Sequence, residues 1–558
     1  MNFLNDYVEN FDKCTTYEEM RKYYKLKCPE NFNFAYDIID RYAKEEPQKR
    51  AIVWCNDKGE EKTFTFKEIS EYTQKTANFL VAHGIKKGDT VMLVLRRRYE
   101  FWFFIYALNR IGAIAIPATY LLLQADYEYR NKAADVKMIV TFDDDRVYKN
   151  IEGALPSSPS VKTLVTVGQK REGWVSFHDE IEQFSADFPR PTGENATHNN
   201  DPMLIYFTSG TSGYPKMALH DFTYPLGHIT TGKLWHGVID DGLHLTLAET
   251  GWAKAGWGKI YGQWIAGTAQ FIYDFDTFRA TYILQMVEKY HITTFCAPPT
   301  VYRYLIRQDL SKFNLSSLVK CTTAGEPLNG EVYRKWLEQT GHKIYEGFGQ
   351  SESSVIIGNF PGMEPRPGSM GKPAPGYDVE IVHPDGTRCA PHENGEVIIH
   401  VENGKPFGLL AGYYKNQEET DKAFAGGIYR TKDIAYYDED GYMWFVGRND
   451  DVIKTAGYRV SPFEVESILQ QHPAVLECAV TGVPDKRRGN IVKATIVLTA
   501  GYEATTELEH DIQEYVQKNT ASYKRPKLIE FVKELPKTTS GKIKRNTIRD
   551  EDAKKVSQ

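Results

Sequence analysis

No long uninterrupted apolar run occurs in this chain of 558 residues. Its most hydrophobic stretch, Phe101 to Leu123, is broken by Asn109, Arg110 and Pro117. It falls short of the roughly 20 apolar residues a membrane helix needs, so no stable membrane insertion is expected. Cysteine pairing is absent too. Cys14, Cys28, Cys55, Cys296, Cys321, Cys389 and Cys478 are odd in number, scattered and without CxxC or zinc-finger spacing. That excludes a disulfide framework and points to a reducing compartment. The N-terminus, MNFLNDYVENFDK, is acidic and has no apolar segment of signal-peptide type; together with the free thiols this gives the expectation of a cytoplasmic protein. A net charge of −6 argues against a dedicated nucleic-acid binder. Neither a tandem repeat nor a low-complexity tract is found.

What is present is an α/β rhythm. Phe66 to His83 carries apolar residues at helical spacing and stops at Gly84. TVMLVL (Thr90 to Leu95), AIAIPA after Gly112, and MIVTF (Met138 to Phe142) read as short buried strands, with a helix expected from Tyr99 to Arg110. The rhythm returns at Thr268 to Ala297, and alternation of this kind implies largely parallel sheets. A β-rich run follows from Gly376 to Gly447. After it the chain reads as a compact α+β unit with a Lys-rich end. The division expected is therefore residues 1–449 and 450–558, since one core cannot serve so long a chain.

Four segments carry chemistry. Tyr206 to Lys216, YFTSGTSGYPK, follows the apolar strand MLIYF and offers backbone N–H groups, hydroxyls and one cation to a polyphosphate. The GxxxxGK[ST] spacing of a Walker A loop is not met. Tyr345 to Ser353, YEGFGQSES, sets Phe348 between two glycines and a carboxylate beside a hydroxyl, a pattern that suits a base and a hard cation but is also common in plain turns. Tyr429 to Asp433, YRTKD, with Gly447 to Arg459, GRNDDVIKTAGYR, pairs an Asp able to accept two ribose hydroxyls with an Arg able to reach phosphate. A structural ion pair would explain Asp433 and Arg448 equally well. Pro536 to Arg545, PKTTSGKIKR, presents Lys542 behind a Ser-Gly pair.

In this order and spacing the four segments resemble the adenylate-forming superfamily of acyl-CoA synthetases, luciferases and peptide-synthetase adenylation domains, over about residues 35–550. The resemblance implies a large N-terminal domain of two α/β subdomains plus a β-barrel, with a small mobile α+β C-terminal domain. It implies ATP, Mg²⁺ and coenzyme A: a carboxylate attacks the α-phosphate of ATP to give acyl-AMP and pyrophosphate, and a thiol then takes the acyl group. By motif, Thr208, Ser209, Gly210, Thr211, Ser212, Gly213 and Lys216 would grip the phosphates, and Glu352 would hold Mg²⁺ beside Ser351. Gly325, Glu326, Glu346, Gly347, Phe348, Gly349 and Gln350 would frame adenine, Asp433 and Arg448 would bind ribose, and Lys542 would bridge acid and ATP. Asp450 matches the family hinge. Ala456, Gly457, Tyr458 and Arg459 would line the pantetheine path, and Arg459, Arg488 and Arg525 would contact coenzyme A phosphates, although surface cations of this kind are often simply solvated.

Leu247 to Phe271 and Ile116 to Arg130 resemble the acetyl- and medium-chain acyl-CoA synthetases most. The acetate branch places Trp where this chain has Gly349, which argues against acetate and for medium-chain, branched or aryl acids, with Trp252 and Trp257 shaping the pocket. Two alternatives stay open: transfer to a carrier-protein phosphopantetheine, and a non-catalytic nucleotide-binding relative. The partners expected are small molecules, with a homodimer allowed.

Overall fold

A computed structural model describes residues 2–208, 215–448, 451–455, 458–485, 488–537 and 543–557. The helix Phe66–Ala82 starts at a capping box, in which the Thr65 hydroxyl accepts from the Glu68 backbone and Glu68 accepts from the Thr65 backbone. The expected strands fall at Thr90–Val94, Ile114–Pro117 and Met138–Phe142, each wholly buried. The apolar stretch that opens at Phe101 forms the helix Glu100–Ile111, buried at every position. Arg110 sits in that core because Asp40 meets its guanidinium, Nη1 to Oδ2 at 2.8 Å. Among the described residues no helix is long and apolar enough to cross a membrane.

Two large sheets result. The eight-stranded one is parallel at its centre and runs outward through Pro202–Thr208 to the antiparallel Lys216–Asp221 and Gly412–Tyr413. The nine-stranded one has a parallel centre of Leu243–Thr246, Ala269–Asp274, Thr294–Cys296, Lys320–Ala324 and Ile344–Phe348. Loops at the C-terminal ends of such strands are where α/β proteins bind ligands. The expected β-barrel does not close among the described residues; the β-rich run forms an open four-stranded antiparallel sheet, Val379–Val382, Gly395–His400, Ile428–Tyr437 and Met443–Arg448 in that order.

Beyond it lie a three-stranded sheet, Val475–Asp485, Gly489–Leu498 and Leu528–Phe531, and two helices, Pro462–Leu469 and Thr506–Asn519. These enclose a separate apolar core that includes Val460, Val465, Leu469, Ile496 and Ile512. All the free cysteines remain unpaired, six of them buried.

Candidate active site

Thr208 closes its strand and stands in register with Lys216, the first residue of the returning antiparallel strand. Ser209, Gly210, Thr211, Ser212 and Gly213, between them, lie outside the described residues, as do Asp450, Ala456, Gly457 and Lys542. The Lys216 ammonium is paired with Glu419, from the helix Gln417–Ala423, and lies 5.1 Å from the centroid of the Tyr413 ring. A polyphosphate arriving here would compete with Glu419 for that cation.

One strand-end away stands Glu352. Tyr413 Oη donates to its Oε1 at 3.3 Å. Desolvation raises the Glu352 pKa, while hydrogen bonds from Tyr413 and Thr208 and the charge of Arg448 lower it. Two backbone contacts fix the segment. Leu410 N donates to Glu352 O at 2.8 Å, and His220 Nε2 lies 2.9 Å from Ser351 O. Burial pushes the His220 pKa down to about 4, so the ring is neutral and its Nε2–H is the donor. A carboxylate and a hydroxyl oxygen meeting at Glu352 and Thr208 form a donor set that fits a hard divalent cation.

Gln350 is saturated. Its amide nitrogen donates to Thr431 O at 2.7 Å and to Asp433 Oδ2 at 2.6 Å, and its oxygen accepts from Tyr429 Oη at 2.9 Å. Asp433 faces Arg448 directly across two strands, Oδ1 to Nη1 at 3.5 Å. A bulge aims it there. Between the pairs Glu396–Ile434 and Ile398–Arg430 the sheet sets Thr431, Lys432 and Asp433 against Val397 alone. Lys432 takes a left-handed φ of 62°, and Thr431 Oγ1 replaces a ladder bond by donating to Val397 O at 2.7 Å. Segments distant in sequence thus converge on one carboxylate.

The glycines of YEGFGQSES have a packing reason. Positions 347 and 349 share one face of an extended backbone. A Cβ at Gly347 would stand 2.5 Å from Trp235 Cε2, and one at Gly349 would stand 2.5 Å from Trp257 Cη2. Trp257 is held by its Nε1–H to Ser353 O, at 2.9 Å. The room expected at Gly349 is therefore occupied by an indole supplied from the helix Lys254–Lys259. Phe348 is half-buried, its ring centroid 6.1 Å from that of Phe445. Trp252 is half-buried nearby in sequence.

Glu346 has different work. It is buried, and it accepts Leu328 N and Gly368 N at 3.0 Å each. Burial pushes its pKa up to about 8. It ties loops together behind the strand. Gly325, with φ 102°, and Glu326 are exposed at the end of Lys320–Ala324, where Thr300 Oγ1 donates to Glu326 at 2.6 Å.

Other candidates stand apart from this cluster. Tyr458 stacks on Tyr523 at 4.2 Å. Arg525 is engaged by Gln517 and Gln513, at 2.7 and 2.9 Å, and Arg488 is an exposed turn residue. Arg459 lies on the strand Tyr458–Val460, opposite Lys454.

Sequence reasoning passes over Tyr413, Glu419 and His220. None stands in a motif, and only the strand pairing at Lys216 brings them in. Tyr429 was within reach, since it opens YRTKD.

The AMP-binding enzyme family matches residues 39–414, and the AMP-binding enzyme C-terminal domain matches residues 464–542. The chain is 40% identical over 552 residues to acyl-coenzyme A synthetase ACSM3, mitochondrial, of Homo sapiens, covering 97% of this chain and 93% of that protein. It is 40% identical over 537 residues to acyl-coenzyme A synthetase ACSM4, mitochondrial, of Homo sapiens, covering 94% and 91%. Among solved structures, the anthranilate CoA ligase AuaEII in complex with anthranoyl-AMP superposes with a TM-score of 0.86 at 30% identity, covering 95% of this chain and 99% of that one. The mitochondrial relatives correct the expectation of a cytoplasmic protein. Free thiols mark a reducing compartment without saying which one.

Proposed function

The chain belongs to the AMP-binding enzyme family, and from that premise we propose that it activates a carboxylic acid with ATP and transfers the acyl group to coenzyme A. The observation that carries this reading is the convergence of Gln350, Asp433 and Arg448 beside Glu352 and Thr208. In this reading Asp433 accepts the ribose hydroxyls, and Gln350 keeps its carboxylate oriented. Arg448 supplies positive charge on the phosphate side. Thr208 and Lys216 hold the outer phosphates, with Lys216 exchanging Glu419 for phosphate oxygen. Glu352 would hold Mg²⁺, which when bound neutralises phosphate charge. Lys542 would approach the carboxylate and α-phosphate in the first step. Rotation of the smaller unit about Asp450 would then bring Ala456 to Arg459 to the site for thiol attack, with residues 1–449 as the fixed body. A carboxylate oxygen is a poor leaving group, and AMP is a good one. Arg488 and Arg525 would meet the coenzyme's phosphates. A mitochondrial setting is the one its relatives support, and a homodimer suits the reading.

The acid proposed is medium-chain, branched or aryl, with Trp257 setting its size. The Trp257→Leu variant should extend the preferred acid by one or two methylenes. Each added methylene would gain about 0.8 kcal/mol, roughly fourfold in kcat/KM. A panel of acids from acetate upward, including benzoate, read as thioester formation, checks this. An unchanged length profile in a folded variant would remove Trp257 from the pocket. The function itself is tested by acid-dependent pyrophosphate release with and without coenzyme A. Release with thioester formation is expected; release without thioester would point to another acceptor, and no release with any acid would overturn the reading.

A further inference from the structure

We propose that the turn between Val379–Val382 and Gly395–His400 holds a Zn²⁺-class divalent cation, bound by His383, Cys389 and Glu393. This turn belongs to the open antiparallel sheet and makes no contact with Glu352 or Lys216 among the described residues. The three ligand atoms lie within 4.8 Å of one another, and no other such trio of His, Cys, Asp or Glu occurs among the described residues.

Local geometry gathers them. His383 N donates to Thr387 O at 2.8 Å, closing a turn at Gly386, and Cys389 N donates to Ile381 O at 3.0 Å. The Cys389 side chain is buried at 1% exposure, yet its thiol makes no hydrogen bond among the described residues. Glu393 reaches back over the turn: its Oε2 accepts Ala390 N at 2.7 Å and lies 3.1 Å from His383 Nε2. Arg388, largely exposed, pairs with Glu380 on the strand before the turn, Nε to Oε1 at 3.6 Å.

The chemistry fits a borderline metal. Thiolate, neutral imidazole and carboxylate give two negative charges to a dication and are ordinary zinc ligands. Bond lengths of about 2.0–2.3 Å place tetrahedral ligands roughly 3.3–3.6 Å apart. His383 Nε2 and Glu393 Oε2, now 3.1 Å apart, would open by a few tenths of an ångström, and the sulfur, within 4.8 Å of both, would close on them. On binding, the Cys389 thiol gives its proton to water. His383 would bind through the Nε2 lone pair, with its N–H on Nδ1. Glu393 is exposed, so water can fill the fourth position.

A bound cation would act as a structural staple. Tyr437 Oη donates to Cys389 O at 2.6 Å, and His392 N donates to Tyr437 O at 2.7 Å. Tyr437 ends the strand Ile428–Tyr437, which also carries Asp433.

The test uses the full chain, freed of metal, titrated with Co²⁺ and then Zn²⁺. One equivalent of Co²⁺ should bring a thiolate charge-transfer band and the visible bands of a tetrahedral site, and Zn²⁺ should displace both. Cys389→Ser should lose the charge-transfer band, and His383→Ala should weaken Zn²⁺ binding at least tenfold, while Cys28→Ser keeps the wild-type spectrum. Glu393→Gln, at an exposed position, serves if Cys389→Ser fails to fold, and should also weaken binding at least tenfold. Acid-dependent pyrophosphate release at saturating substrates should be equal in wild type and Glu393→Gln. A missing thiolate band, a band that survives in Cys389→Ser, or Zn²⁺ affinity unchanged in both His383→Ala and Glu393→Gln overturns the proposal.

Discussion

Replacing Asp433 by alanine should lower kcat/KM for ATP by roughly 10²- to 10⁴-fold, as two charge-assisted hydrogen bonds at about 1.5–3 kcal/mol each are lost. The carboxylate is buried at 4% exposure and receives the Gln350 amide at 2.6 Å, so its removal also strands that donor. Asp433→Asn separates the two effects. Its side-chain oxygen can still accept from Gln350, so the fold should hold while ribose binding weakens by one charged partner. Measuring KM for ATP and for coenzyme A together discriminates further. The rise should fall on ATP, and an unchanged KM for ATP in the alanine variant would mean that Asp433 pairs with Arg448 for structure alone.

Glu352→Gln should reduce the maximal rate of acid-dependent pyrophosphate release by roughly 10²- to 10³-fold, the several kcal/mol that a well-placed cation contributes to phosphoryl chemistry. Glutamine keeps the shape and can still accept from Tyr413, so thermal stability should change little. The Mg²⁺ concentration needed for half-maximal rate should rise in the same variant. A rate within about threefold of wild type would assign Glu352 to the Tyr413 contact and leave cation binding to other oxygens.

Much of this was legible beforehand where it is local. Buried strands such as Met138–Phe142 stand out by composition, and Phe66–Ala82 by its periodicity and the stop at Gly84. The motif residues Gln350 and Asp433 could be named, but not that the first holds the second, because they stand 83 positions apart. Lys216 and Glu419 are 203 apart and meet because the strand Gly412–Tyr413, paired with Lys216–Asp221, leads into the helix that carries Glu419. Glu346 shows the opposite limit. It sits inside the segment expected to frame adenine, yet its side chain turns inward to Leu328 and Gly368, because residues alternate across a strand and its neighbours face the other way. Gly349 looked like vacated space, since a sequence cannot reveal which distant side chain fills a missing one.

That last arrangement separates two traits that could have been bound together. Ile344–Phe348 and the residue after it contribute only hydrogens at positions 347 and 349, and the bulk beside them is lent by Trp235 and Trp257 from elsewhere in the chain. On the proposed function, acid preference would drift through substitution at Trp257 while the residues proposed to hold ATP stay as they are. A lineage of such enzymes could diversify its diet one indole at a time, without passing through forms that have lost their grip on ATP.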